Sequence, residues 1–234
     1  MDDAIACKPD PVECAPTLCR ITLPGYSLGQ ERFNTISHAV GVALGVFALG
    51  WMIAAAQPDP APNVIAGIAV YGAALIVLYA ISALYHGLPE GNAKRVFRVL
   101  DHCSIYLLIA GCYTPVLLIA FWGYPCAVPL LAAEWGIAAA GILANAVNMA
   151  AKPVKVGSIV SYLAMGWAIA FIPWHDLVTV GAAWLPWVAA GGLAYTVGIV
   201  FYIGGKKRSI MHGVWHMFVL AGSVLQMVGF LQML

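Results

Sequence analysis

Charged side chains are scarce in this chain. Asp, Glu, Lys and Arg together make up 9% of its 234 residues, while 62% are hydrophobic. Soluble domains carry about a quarter charged residues, so an ordinary soluble domain is excluded. The net charge of +1 says nothing by itself, and no nucleic-acid partner is expected. No cleavable leader is visible, because Asp2 and Asp3 open the chain and no apolar stretch precedes Phe33. The first apolar run must then direct insertion. Regular cysteine spacing is missing too. Cys7, Cys14 and Cys19 lie in a proline-rich opening segment with no fourth ligand, and disulfides are disfavoured in a reducing compartment. Matched broken spans, the mark of many carriers, are also absent.

What is present in abundance is membrane-length apolar sequence. A helix needs about 20 apolar residues to cross a bilayer, and seven such runs read at 33–56, 64–88, 99–122, 127–149, 156–174, 182–203 and 211–234. The expected fold is therefore an all-α membrane protein, a seven-transmembrane helix bundle over residues 26–234 preceded by an irregular tail over 1–25. All eleven Lys and Arg residues precede the first run or lie between runs 2 and 3, 4 and 5, or 6 and 7. The other connections have none, so the positive-inside rule puts the N-terminus in the cytoplasm and the C-terminus outside. The expected location is a membrane that the chain crosses several times.

Six histidines are set in this apolar background. Span 2 runs inward, so His86 lies at its cytoplasmic end with Ser82 one turn deeper on the same face. Span 3 runs outward from Asp101. Span 7 also runs outward, and His212 and His216, four residues apart, share a face at its cytoplasmic start. Polar residues near helix ends often only snorkel or cap a terminus, and for any one of these residues that reading competes evenly. Three imidazoles and a carboxylate at one depth on three spans instead match a zinc site with three histidines and a water. His102 points about 100° around the helix from Asp101, which makes it a supporting or packing residue. Glu31, Asn34 and His38 share a face of span 1 and read as a polar network at the rim of the site. His175 and Asp176 fall on the opposite side of the membrane. Glu134, an acid inside span 4, is either functional or a hydrogen-bonded packing residue.

These residues, with the run Leu100-Asp101-His102-Cys103-Ser104-Ile105-Tyr106 on to Pro115, and the stretch from Phe218 to Ser223 after His216, resemble the bacterial hemolysin III family. That family belongs with the progestin and adipoQ receptors and, more distantly, the alkaline ceramidases. The resemblance runs from about Tyr26 to the C-terminus. It implies a seven-helix bundle with the N-terminus inside and a Zn2+ ion held by His86, His212 and His216. Asp101 would hold the metal-bound water, with Ser82 in hydrogen-bond reach. The chain departs from the family pattern at Cys103 and Cys112, where small residues are usual, and at Gln226, where a histidine is common.

Three functions compete. The first is a metal-dependent hydrolase of a lipid amide or ester, in which Asp101 is the base and Ser82 a donor to the developing oxyanion. The second is a receptor-like or lipid-sensing bundle with structural zinc. The third, a pore, fits least, because no span carries a polar stripe along its whole length. A membrane lipid is the expected substrate or ligand.

Overall fold

The computed structural model describes residues 18–205 and 207–234, and among them all regular structure is helical. The helices are α1 (Leu28–Ala55), α2 (Pro62–Gly87), α3 (Asn92–Pro115), α4 (Ala127–Asn148), α5 (Lys152–Gly166), α6 (Trp174–Gly181), α7 (Leu185–Gly204) and α8 (Ile210–Leu231). Six of them, α1 to α4, α7 and α8, are long and apolar enough to cross a membrane, α3 being extended by a π-helical turn over Val116–Ala120. The chain is a multi-pass helical membrane protein. Of the irregular segment expected over 1–25, residues 1–17, with Cys7 and Cys14, lie outside the described residues.

The apolar run expected to form one helix over 156–174 does not. The 15-residue α5 ends at Gly166, a 3₁₀ turn follows over Ala168–Phe171, and α6 begins after Pro173. Broken backbone in an apolar setting survives only where other groups meet its polar atoms. Tyr113 of α3 does this, donating its hydroxyl to Gly166 O at 3.1 Å and accepting from Ile169 N at 2.8 Å. The π turn after Pro115 is supported similarly, by Asn63 Nδ2 donating to Leu118 O at 2.7 Å. Hydropathy does not register either break.

Helix α1 packs along α2, α2 along α3, α7 along α8, and α1 also meets α8. Small residues let these apolar helices approach. A Cβ on Gly41 of α1 would sit 2.3 Å from the Tyr79 ring of α2, and one on Gly222 of α8 would sit 2.7 Å from Tyr195 of α7. Ser223 ties three helices together, its Oγ lying 2.7 Å from Tyr79 Oη and 2.9 Å from Tyr195 Oη. Helix α5 packs on α3 and α4 but not closely on α7. Just past the end of α5, Trp167 Nε1 donates to Thr196 Oγ1 of α7 at 3.1 Å.

Candidate metal centre

Helix α1 starts with a capping box, in which Ser27 accepts from Gln30 N and Gln30 accepts from Ser27 N. Gln30 Nε2 also donates to Ser209 Oγ at 2.8 Å, fixing the start of α1 against the start of α8. The buried stripe of α1, Asn34, Ser37, His38 and Gly41, then faces α2 and α8 at helical spacing. His86 lies in the last turn of α2, and His212 and His216 lie in the first turns of α8.

All three histidines are buried and form a group able to hold a metal ion, with one ring nitrogen from each lying within 4.8 Å of the others. His212 Nε2 is 3.3 Å from His86 Nε2 and 3.2 Å from His216 Nε2. Two nitrogens each about 2.0–2.1 Å from a tetrahedral zinc stand about 3.3–3.4 Å apart, so these two separations match the edges of a zinc coordination tetrahedron.

The neighbours of the rings fix where their protons sit. His86 Nδ1 is 2.6 Å from Glu31 Oε2. A carboxylate only accepts, so Nδ1 carries the hydrogen and Nε2 keeps its lone pair. Ser37 Oγ spends its own hydrogen on Asn34 O at 3.0 Å, so at 3.3 Å it accepts from His216 Nδ1. The Nε2 lone pair of His216 is thereby also left free. A ligating histidine held through its other nitrogen is the usual support of a metal site. The other Glu31 oxygen, Oε1, lies 2.8 Å from Lys94 Nζ, which also donates to Leu88 O at 2.9 Å and so ties the end of α2 to the start of α3.

Of the remaining expected residues, Asn34 places Nδ2 3.5 Å from His86 Nδ1. His38 is stacked on His216 at 3.6 Å between ring centroids, its ring nitrogens buried without partners. His102 donates from Nδ1 to Arg98 O at 2.9 Å and accepts at Nε2 from Tyr202 Oη at 3.1 Å, a supporting position rather than a ligating one. His175 is exposed beside Asp176 on α6, outside the histidine group. Glu134 is buried in α4 with Oε2 unpartnered, and it does not line the cavity described next.

Sequence reasoning missed three contributors. Ser37 has no distinguishing motif. Lys94 counts in sequence only as an interfacial charge, yet it is buried. Tyr26 lies ahead of α1 and stacks on His212 at 5.2 Å between centroids, roofing the site. Its segment is held down by Arg95 Nε donating to Ile21 O at 3.3 Å and by Arg98 Nη1 donating to Thr22 O.

A cavity of about 110 Å³ opens from the histidines. Ser82 and Asp101 line it together with His38, His102, His212 and His216. From there its wall is mostly apolar, with Leu108, Ile159, Leu163, Ile199 and Val219 leading to Gln226. The step from His212 to Gln226 along α8 is about 21 Å, against about 15 Å for half a bilayer's hydrocarbon. The cavity thus adjoins two of the three histidines, His212 and His216, and its mostly apolar wall reaches Gln226.

A family model described as Haemolysin-III related matches residues 26–227. The chain is 36% identical over 198 residues to Hemolysin-3 of Bacillus cereus, covering 84% of this chain and 88% of that protein. It is 32% identical over 198 residues to the Hemolysin-3 homolog of Bacillus subtilis (strain 168), covering 85% and 91%. It is also 30% identical over 155 residues to the human monocyte to macrophage differentiation factor, covering 64% and 63%. With nearly the whole helical region matched, this chain belongs to the haemolysin III family.

Proposed function

We propose that this protein is a zinc-dependent hydrolase that cleaves an amide or ester bond of a membrane lipid. The observation that carries this reading is that His212 Nε2 stands at the spacing of a tetrahedral edge from both His86 Nε2 and His216 Nε2, with His212 and His216 at the polar end of a mostly apolar cavity. Held by His86, His212 and His216, zinc would supply Lewis acidity toward a carbonyl oxygen and a nucleophilic water near neutral pH. Glu31 and Ser37 hold the Nδ1 protons of His86 and His216 and thereby aim both rings. Asp101, on the cavity wall, accepts the proton of the attacking water. Ser82, buried one turn from His86, donates its hydroxyl to the oxygen on which negative charge develops. The apolar wall seats the acyl chain and excludes bulk water.

The reading includes a seven-span topology with the N-terminus in the cytoplasm, in a bacterial inner membrane. Helix α5 supplies about 22 Å and the following 3₁₀ turn about 8 Å, together near the 30 Å hydrocarbon thickness. The basic residues favour that orientation. A second reading, a lipid-sensing bundle with structural metal, draws on the packing of His38 and Tyr26 against the ligand rings. Metal analysis of the purified protein, run beside a screen of lipid amides and esters for fatty-acid release, separates the two. About one zinc per chain with release supports the hydrolase, and zinc without release on any lipid supports the sensor. The double variant His212→Ala/His216→Ala should lose the metal while His175→Ala keeps it. Full zinc retention in the double variant removes the site.

A further inference from the structure

The chain ahead of α1 forms a strap over the histidine group. Residues 22–27 have no regular structure, and the Tyr26 ring packs on two of the three imidazoles, 5.2 Å from His212 and 5.7 Å from His86 between centroids. The strap is fastened at both ends. At one end Ile21 is buried, Ile21 O accepts from Arg95 Nε at 3.3 Å, and Thr22 O accepts from Arg98 Nη1. At the other it runs into the Ser27 capping box of α1. Between them Gly25 is exposed, and a Cβ there would meet nothing within 4 Å. A segment tied at its ends with exposed backbone between them is of the kind that opens locally while the bundle stays folded. Two sides of the histidine group could admit a cation. One is the cavity, but a divalent ion crossing its mostly apolar wall would lose its hydration without replacement. The other is the end of the bundle, where α2 finishes and α1 and α8 start. Solvent reaches this end, since the Glu31 side chain bonded to His86 keeps 17% of its surface exposed. Tyr26 covers the group from this end.

We propose that residues 21–27 are a gate for the metal, with the Tyr26 ring as its leaf. An ion enters and leaves the histidine group from the end of the bundle when the strap lifts, and not through the apolar cavity. The inference rests on the metal reading given above and adds the route the metal takes. A leaf that closes alike over the empty and the filled group slows entry and exit by the same factor, and affinity, the ratio of the two rates, is unchanged. With the open form populated at about 0.1–10%, both rates fall by about ten- to a thousandfold. A ring that only steadied His212 would act differently, because its loss would speed release alone and weaken binding.

The test is stopped-flow zinc exchange on the purified full-length protein in lipid nanodiscs, with a fluorescent zinc indicator. Entry is followed by mixing metal-free protein with rising zinc, and release by mixing loaded protein with excess chelator. In the parent the observed entry rate should level off as zinc rises, at the rate at which the strap opens. Tyr26→Ala, which removes the leaf, and Ile21→Ala, which loosens its fastening, should each raise entry and release together by at least about tenfold, with affinity held within about twofold. Tyr26→Phe keeps the ring and should keep the parent's rates. The levelling-off needs no variant, so the test holds even if a variant folds poorly. An entry rate in the parent that climbs in proportion to zinc throughout overturns the gate and leaves the metal reading standing. Parental rates in Tyr26→Ala overturn it too, as does faster release with unchanged entry. Absence of zinc binding by the parent overturns both.

Discussion

Glu31 offers the sharpest quantitative test of the candidate metal centre, because it would act on a bound ion only through His86. Its carboxylate accepts from His86 Nδ1 at 2.6 Å and from Lys94 Nζ at 2.8 Å. Hydrogen bonds to a charged partner contribute about 1.5–3 kcal/mol, roughly twice a neutral bond. Glu31→Gln keeps an oxygen for His86 Nδ1 but turns a charged acceptor into a neutral one, and presents its amide NH₂ to the Lys94 ammonium. The loss on the His86 side is then about 1–1.5 kcal/mol, or roughly tenfold in zinc affinity at 1.4 kcal/mol per decade. Glu31→Ala removes the acceptor entirely and leaves a buried ammonium unpaired beside a cation site, so its affinity should fall further, toward a hundredfold. Adding Lys94→Met to Glu31→Ala takes away that stranded charge and should recover part of the loss. The assay is competition for zinc with a chelator of known affinity, with the thermal melt of each metal-free variant recorded beside it. An affinity in Glu31→Gln within twofold of the parent, with an unchanged melt, refutes the assignment of Glu31 as the group that orients His86.

Three further outcomes follow from the same geometry. Asp101→Asn keeps the size of the side chain and loses the base, so zinc content should hold while fatty-acid release falls by about 10²–10⁴-fold; undiminished turnover removes Asp101 from the mechanism. Tyr113→Phe strips the partner from Gly166 O and Ile169 N, and the melting temperature should fall by at least about 2–4 °C, the shift that 1 kcal/mol produces in a chain of this size. A reporter active only outside the cytoplasm should work when fused after Leu234 or near Asp59 and fail near Asn92 or Lys152; a cytoplasmic signal at Leu234 sinks the seven-span topology.

What could be read in the sequence was whatever depends on periodicity. The three- and four-residue steps among Glu31, Asn34 and His38 put them on one face whatever packs there, and the step from His212 to His216 aims both rings together. The break after α5 was not legible, because the stretch 156–174 is apolar whether or not its backbone bonds to itself. The break depends on one hydroxyl, that of Tyr113, more than fifty residues away. Lys94, Arg95 and Arg98 were legible only as a cluster of positive charge between two spans. Their separate tasks, holding Glu31 and pinning the backbone of Ile21 and Thr22, require partners that only the folded chain brings near. Ser37 shows the limit most clearly. A serine one residue before a histidine carries no signal, yet its single hydrogen is committed to Asn34 O, and that commitment forces it to accept from His216. The proton positions of two of the candidate ligands are thus set by α1, a helix that contributes no histidine to the group. Lone pairs aimed by second partners would need no reorganisation on meeting a cation, so α1 is the part of the chain that preorganises two of the three histidines of the candidate metal centre.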